Sequence, residues 1–116
     1  MALASLKLEI HSSVVYAGVT GDVDMSNAAD LRQELSRATP NDALGLVLDL
    51  RRVDYLDSAG IRLLLHLRED LRAGRQKLRL VIAKDSPVNH TLRLAGIDWG
   101  EEISESLDAA REAVVG

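Results

Sequence analysis

Cysteine and phenylalanine are both absent from the 116 residues, and there are only two prolines. Without cysteine the chain has no disulfide, no thiolate metal ligand and no Cys nucleophile. A small domain that manages without disulfides suits a reducing compartment, and a cytoplasmic protein is expected. Aromatic residues make up 3% of the chain, so the core must be aliphatic: Leu, Val, Ile and Ala. No apolar run approaches the roughly 20 residues of a membrane span. The first residues, MALASLKLEIH, lack the basic start and long apolar stretch of a signal peptide, so no leader is expected. Positive charge is also scarce, with a formal net charge of -4. Phosphate contacts carry most nucleic-acid affinity and require a basic surface, so no nucleic-acid partner is expected. The same deficit argues against an anionic membrane surface, and no direct membrane insertion is expected.

An apolar fraction of 47% is ordinary for a globular protein. The length fits one domain, 1–116, and no Pro- or Gly-rich linker divides it. Leu6, Leu8 and Ile10 alternate with Lys7, Glu9 and His11, the period of a half-buried strand. SSVVYAGVTG follows as a second strand, turned back near His11 to Ser13. After GDVD, Asp24 or Ser26 is placed to cap a helix in which Ala28, Leu31, Leu35 and Ala38 share a face, and Pro40 ends it. LGLVLDL is a continuous apolar run of strand length, the pattern of a strand covered on both faces. An amphipathic helix is expected from Ser58 to Ala73, closed by Gly74. LRLVIA is another buried strand, and Ser86-Pro87 opens a helix ending before Gly96. Past Trp99, Ser104 is placed to cap a last helix with Glu105 and Asp108 in its first turn. The order predicts an α/β domain with a mixed, mostly parallel sheet of four to five strands, an N-terminal antiparallel hairpin and about four helices.

VDYLDSAGIRLLLH, residues 53 to 66, poses the functional question, because two core segments meet there through Asp57, Ser58, Ala59 and Gly60. One reading is structural: Ser58 caps the helix, while Ala59 and Gly60 keep its first turn narrow. The other uses the same position for chemistry. A hydroxyl at a helix N-terminus lies where N–H groups and the helix dipole favour negative charge. A phosphate there would leave the helix intact and add about -1.5 to -2 charge beside Asp57.

The chain also resembles a known family, the STAS domain, and within it the bacterial anti-sigma factor antagonists. The resemblance rests on GDVD at 21 to 24, on LVLDL, on VDYLDSAGI and on RLAGI at 93 to 97, and it spans nearly the whole chain. Asp-Ser-small-Gly after an apolar strand is its most specific part. The resemblance implies a STAS-like fold and a non-enzymatic partner switch. It implies that Ser58 is phosphorylated by the anti-sigma factor, itself a serine kinase. The unmodified form would bind that partner and the phosphorylated form would release it, with a serine phosphatase to reset the cycle. The partner surface would comprise Asp24, Asp57, Ser58, Ala59, Gly60 and Arg62. ATP and Mg2+ would belong to the kinase, leaving this chain with no cofactor of its own. Relatives often carry a second hydroxyl residue next to the Ser; here that position is Ala59.

Two other functions compete with this one. STAS-like subunits also serve membrane transport complexes, including lipid transport, as docking modules with no phosphorylation cycle. A small serine hydrolase would use Ser58 but needs a nucleophile elbow such as GxSxG, where this chain has LDSAG. The pair Asp22 and Asp24 is too few carboxylates for most metals without further ligands. His11, His66 and His90 show no metal-binding spacing. Arg62, Arg68, Arg72, Arg75, Lys77 and Arg79 concentrate positive charge after the junction, as a partner footprint or as a solvated helix face.

Overall fold

Alternation makes a strand of the first periodic stretch, and the computed structural model, which describes residues 4–116, places it as β1 (Ser5–His11) at an edge of the sheet. Met1, Ala2 and Leu3, the start of the expected leader-free segment, lie outside the described residues. Ser12 and Ser13 turn the chain with φ of 51° and 66°. Positive φ at both positions is the two-residue turn whose twist matches a hairpin. β2 (Val14–Val23) returns antiparallel, His11 opposite Val14. It runs on through GDV, past the expected end at Gly21.

The next helix, α1 (Ala28–Ala38), starts after a tight loop. Neither Asp24 nor Ser26 caps it, contrary to expectation, and Asn27 occupies the cap position. The Asp24 carboxylate instead accepts from the Ser26 N–H at 2.9 Å. Asn27 accepts from the Asp24 N–H at 3.0 Å and donates to the Asp22 carbonyl at 2.8 Å. Short polar side chains that satisfy their own loop are unavailable to the following helix.

β3 (Gly45–Leu56) begins with GLVLDL, leaving Leu44 exposed just before it, and continues through RRVDYL to the junction itself. α2 (Ser58–Ala73), closed by Gly74, has the expected bounds. β4 (Lys77–Val81) follows, then α3 (Pro87–Leu94), where the Ser86 hydroxyl accepts from the Asn89 N–H at 3.2 Å. After a 3-10 turn, Gly100–Glu102, comes β5 (Ile103–Ser104). Ser104 is therefore in a strand and caps nothing. Ser106 caps α4 (Leu107–Val115), accepting from the Ala109 N–H at 3.1 Å.

The five strands lie in sequence order, antiparallel between β1 and β2 and parallel from β2 to β5. Leu31 and Leu35 of α1, Leu64 and Leu67 of α2, and Val88 and Leu92 of α3 join one aliphatic core with Val15, Ala17, Leu46 and Leu48 of the sheet. α4 covers part of the opposite face, where Ala110 and Val114 meet Val14, Val47 and Val81. Gly45 permits that contact, since a Cβ there would strike the Lys77 carbonyl and come within 3.0 Å of Val114. Trp99 closes the larger core and is 3% exposed. β1 is covered less than a half-buried strand should be. Leu6 packs on the core, while Leu8 and Ile10 remain 43% and 59% exposed.

Candidate functional site

Two parallel strands end side by side, and this creates the site. Val23, the last residue of β2, pairs with Leu56, the last of β3. The loop beginning at Asp24 is thereby set next to the start of α2. Ends of parallel strands are where open α/β sheets present their functional groups.

At this junction Asp57, not Ser58, is the N-cap. Its Oδ1 accepts from the N–H groups of Ala59 at 2.9 Å and Gly60 at 3.1 Å. Its Oδ2 accepts from the Met25 N–H at 3.3 Å, and its own N–H donates to the Val23 carbonyl at 3.2 Å. One carboxylate thus ties the helix start to the β2–α1 loop. The cap reading of Ser58 is overturned for a simple reason. Asp and Ser are equally good caps, and the residue standing one place earlier takes the position. Ser58 becomes the first residue of α2, exposed, and its hydroxyl makes no hydrogen bond among the described residues.

Gly60 is buried in the next position, and its role is close approach. A Cβ there would lie 2.8 Å from Leu56 Cγ and 3.2 Å from Val23 Cγ1. The missing side chain lets α2 sit directly on the ends of both strands. Ala59 is half-buried and packs on the core. Arg62 is exposed one turn after Ser58 and forms no ion pair among the described residues.

The surroundings are acidic. Asp22 pairs with Tyr55 across the strands, and Asp24, Asp54 and Asp57 lie at the same end. The Ser26 hydroxyl, and then its N–H, hold the Asp24 carboxyl below its ordinary range. Among these acids stand two exposed apolar side chains, Met25 at 82% and Tyr55 at 54% exposure. Sequence reasoning missed both. Tyr55 reads as part of an apolar strand, and only the continuation of β3 beyond the end of β4 uncovers it. A Met inside the polar loop DMSN was the available signal for the other. Exposed Met and Tyr side chains are residue types enriched at protein interfaces, where such anchors dominate binding when buried.

The remaining candidates lie elsewhere. No three His, Asp or Glu side chains come together as a metal would need, among the described residues. His66 contacts the Arg32 guanidinium at 3.3 Å and His11 contacts Glu9 at 3.1 Å, so neither touches Ser58. The basic stretch after the junction divides. Arg68 turns inward, 4.5 Å over the Trp99 ring and 3.0 Å from Glu102. Arg72 approaches the same Glu102 at 3.6 Å. These residues brace the late loop against α2, whereas Arg62 is exposed in the first turns of α2, four residues after Ser58.

Comparison with known proteins gives a consistent result. A family model described as "Mlab, STAS domain" matches residues 7–109. The anti-sigma-F factor antagonist RsfB of Mycobacterium tuberculosis is 26% identical over 106 residues, covering 91% of this chain and 85% of RsfB. The crystal structure of an anti-sigma factor antagonist from Mycobacterium paratuberculosis superposes with a TM-score of 0.84 at 26% identity, covering 98% of this chain and 96% of that one. SpoIIAA, an anti-sigma factor antagonist solved in unphosphorylated and phosphorylated forms, shares the fold. Its two forms give TM-scores of 0.66 and 0.69 at 19% and 20% identity. They cover 96% and 95% of this chain, and 96% and 99% of theirs. No described helix is long and apolar enough to cross a membrane.

Proposed function

The chain belongs to the STAS domain family, and from that premise we propose that it is an anti-sigma factor antagonist switched by phosphorylation of Ser58. In its unmodified form it binds an anti-sigma factor in the cytoplasm through the surface that carries Asp24, Asp57, Ser58, Ala59, Gly60 and Arg62, and so frees a sigma factor. The partner is a serine kinase. It transfers the γ-phosphoryl group of its ATP to Ser58 Oγ; the bond to the β-phosphate oxygen breaks, ADP leaves, and the hydroxyl proton passes to a base on the kinase. A serine phosphatase reverses the modification.

One observation carries this reading: Ser58 is exposed at the head of α2 with an uncommitted hydroxyl, because Asp57 does the capping. A phosphate there costs the fold no hydrogen bond. It adds nearly two charges to a surface already rich in carboxylates. Repulsion and desolvation then act on the bound partner and leave the domain intact. The relatives named as antagonists support the role, and the two forms of SpoIIAA give a precedent within the fold.

Affinity capture from the native cell tests the proposal, followed by incubation of the captured kinase, ATP and this chain. Transfer of one phosphate, mapped by peptide mass spectrometry to Ser58, is the predicted result. Ser86 and Ser106 cap α3 and α4 and serve as internal controls. Phosphate on either control in place of Ser58 overturns the switch. Capture of a transporter ATPase or permease with no phosphorylation moves the chain to the transport-complex reading.

A further inference from the structure

The sheet has two edges of different character. β5 spans only Ile103 and Ser104, and short strands are one way of blunting an edge. β1 is seven residues long and, among the described residues, has no neighbouring strand on its outer side. The turn at Ser12-Ser13 fixes which of its backbone groups are free. In a two-residue hairpin the flanking pair, here His11 and Val14, exchanges hydrogen bonds. Alternation then directs the N–H and C=O groups of Ser5, Lys7, Glu9 and His11 toward β2. Those of Leu6, Leu8 and Ile10 point outward, unpaired.

We propose that β1 is the seat of a symmetric dimer, in which β1 of a second copy of this chain pairs antiparallel with it about Leu8. The strand is self-complementary in that register. Leu8 faces the partner's Leu8, and Leu6 faces the partner's Ile10. Lys7 faces the partner's Glu9, and Glu9 the partner's Lys7. The groups that meet are the outward-pointing ones, so the backbone ladder closes as the side chains match. Centring on Lys7 or Glu9 would also let outward-pointing groups meet, but it sets a charge directly against itself, which is destabilising. A shift by one residue puts Leu8 opposite Glu9 on one face, which a sheet with one apolar side resists.

The exposed apolar residues gain cover in the same step. Leu6, Leu8 and Ile10 share the face of Val19, Ala17 and Val15. Leu8 and Ile10 are exposed on this edge strand, beyond which no further strand lies among the described residues. A second strand lays the partner's Leu6 and Leu8 against them, at the spacing where cross-strand pairs interact. A lysine on an edge strand ordinarily deters pairing. Lys7 does not deter this pairing, because the residue it meets is a carboxylate. β1 supplies no residue to the surface around Ser58, so dimer and regulatory partner do not compete for the same side chains.

Sedimentation equilibrium of the full chain, from micromolar to millimolar concentration at low salt, tests the proposal. The wild type is expected to approach twice the monomer mass as concentration rises. K7E sets a carboxylate opposite the partner's Glu9, and E9K sets an ammonium group opposite the partner's Lys7. Each variant is expected to remain monomeric over the same range. Both substitutions lie on an exposed strand, and an unchanged circular dichroism spectrum of either one suffices to interpret it. The double variant K7E/E9K restores the opposite pairs and should dimerise again. An equimolar mixture of K7E and E9K should form a heterodimer, which general destabilisation cannot produce. A monomeric wild type overturns the proposal. So does a single variant that associates as the wild type does, or a charge-reversed pair that stays apart.

Discussion

Asp57 accepts three backbone N–H groups from two segments, whereas the Ser58 hydroxyl makes no hydrogen bond among the described residues. The neighbours should therefore respond differently to alanine. Asp57→Ala removes the α2 cap and the tie to Met25, and loss of a cap costs about 1–2 kcal/mol. Ser58→Ala touches only an exposed side chain and should stay within about 0.5 kcal/mol of wild type. Urea denaturation of both variants checks this; a larger loss for Ser58→Ala would return the cap to Ser58. From sequence the cap falls to Ser58, and in the structure it falls to Asp57; either residue type caps well, and the helical pattern that follows does not say which of the two comes first. Arg62 allows a second prediction. It stands one turn after Ser58 on the same face, and helical side chains lean toward the N-terminus. Its paired N–H donors could therefore reach a phosphate on Ser58. Phosphorylation should raise the stability of the isolated domain by on the order of 1 kcal/mol at most, as the pair is exposed. Melting both forms with and without Arg62→Ala decides it. Equal shifts in the two forms would show that Arg62 does not read the phosphate.

At the scale of the element, the start of α2 depends on a side chain that is missing. Alanine at position 60 would gain about 1 kcal/mol of helix propensity over glycine. The added Cβ, however, meets Leu56 and Val23, both buried and both at strand ends. Overpacking of this kind typically costs about 1–3 kcal/mol, so Gly60→Ala is expected to destabilise the domain and to weaken partner binding by displacing Ser58. Thermal unfolding checks the sign; a stabilised variant would mean that α2 has room to rise off the strands. The main elements were legible because their periods were clean. Ala28, Leu31 and Leu35 follow one another at steps of three and four residues along α1, and LGLVLDL reads as a strand wherever it sits. Boundaries were harder. Asp24, Ser26 and Ser104 are cap-forming residues by type, but a local loop or a short strand claims each of them. The outer half of β3 was missed because RRVDYL lacks a two-residue alternation; its support is pairing with β2, which no local pattern records.

At the scale of the molecule, strand order brings the two acidic segments together, and sequence separation hid this. Asp24 and Asp57 are 33 positions apart and become neighbours through the pairing of Val23 with Leu56. Ser58 stood out as a candidate because the motif around it is local. Tyr55 did not, since its exposure follows from the way β3 outruns β4, and the one local sign of Met25 was an apolar residue inside the polar loop DMSN. Under the proposed switch, added phosphate would deepen the acidic field of a chain whose net charge is -4 and oppose a partner that tolerates the unmodified surface. The most direct measurement is calorimetric titration of the captured anti-sigma factor with wild type, Ser58→Ala and Ser58→Asp. Ser58→Ala should bind as wild type does. Ser58→Asp, with Asp57 still capping α2, should bind at least tenfold more weakly, a difference of about 1.4 kcal/mol. Equal affinity of the Asp variant and the wild type would contradict the account, because charge at this position would then not govern the partner.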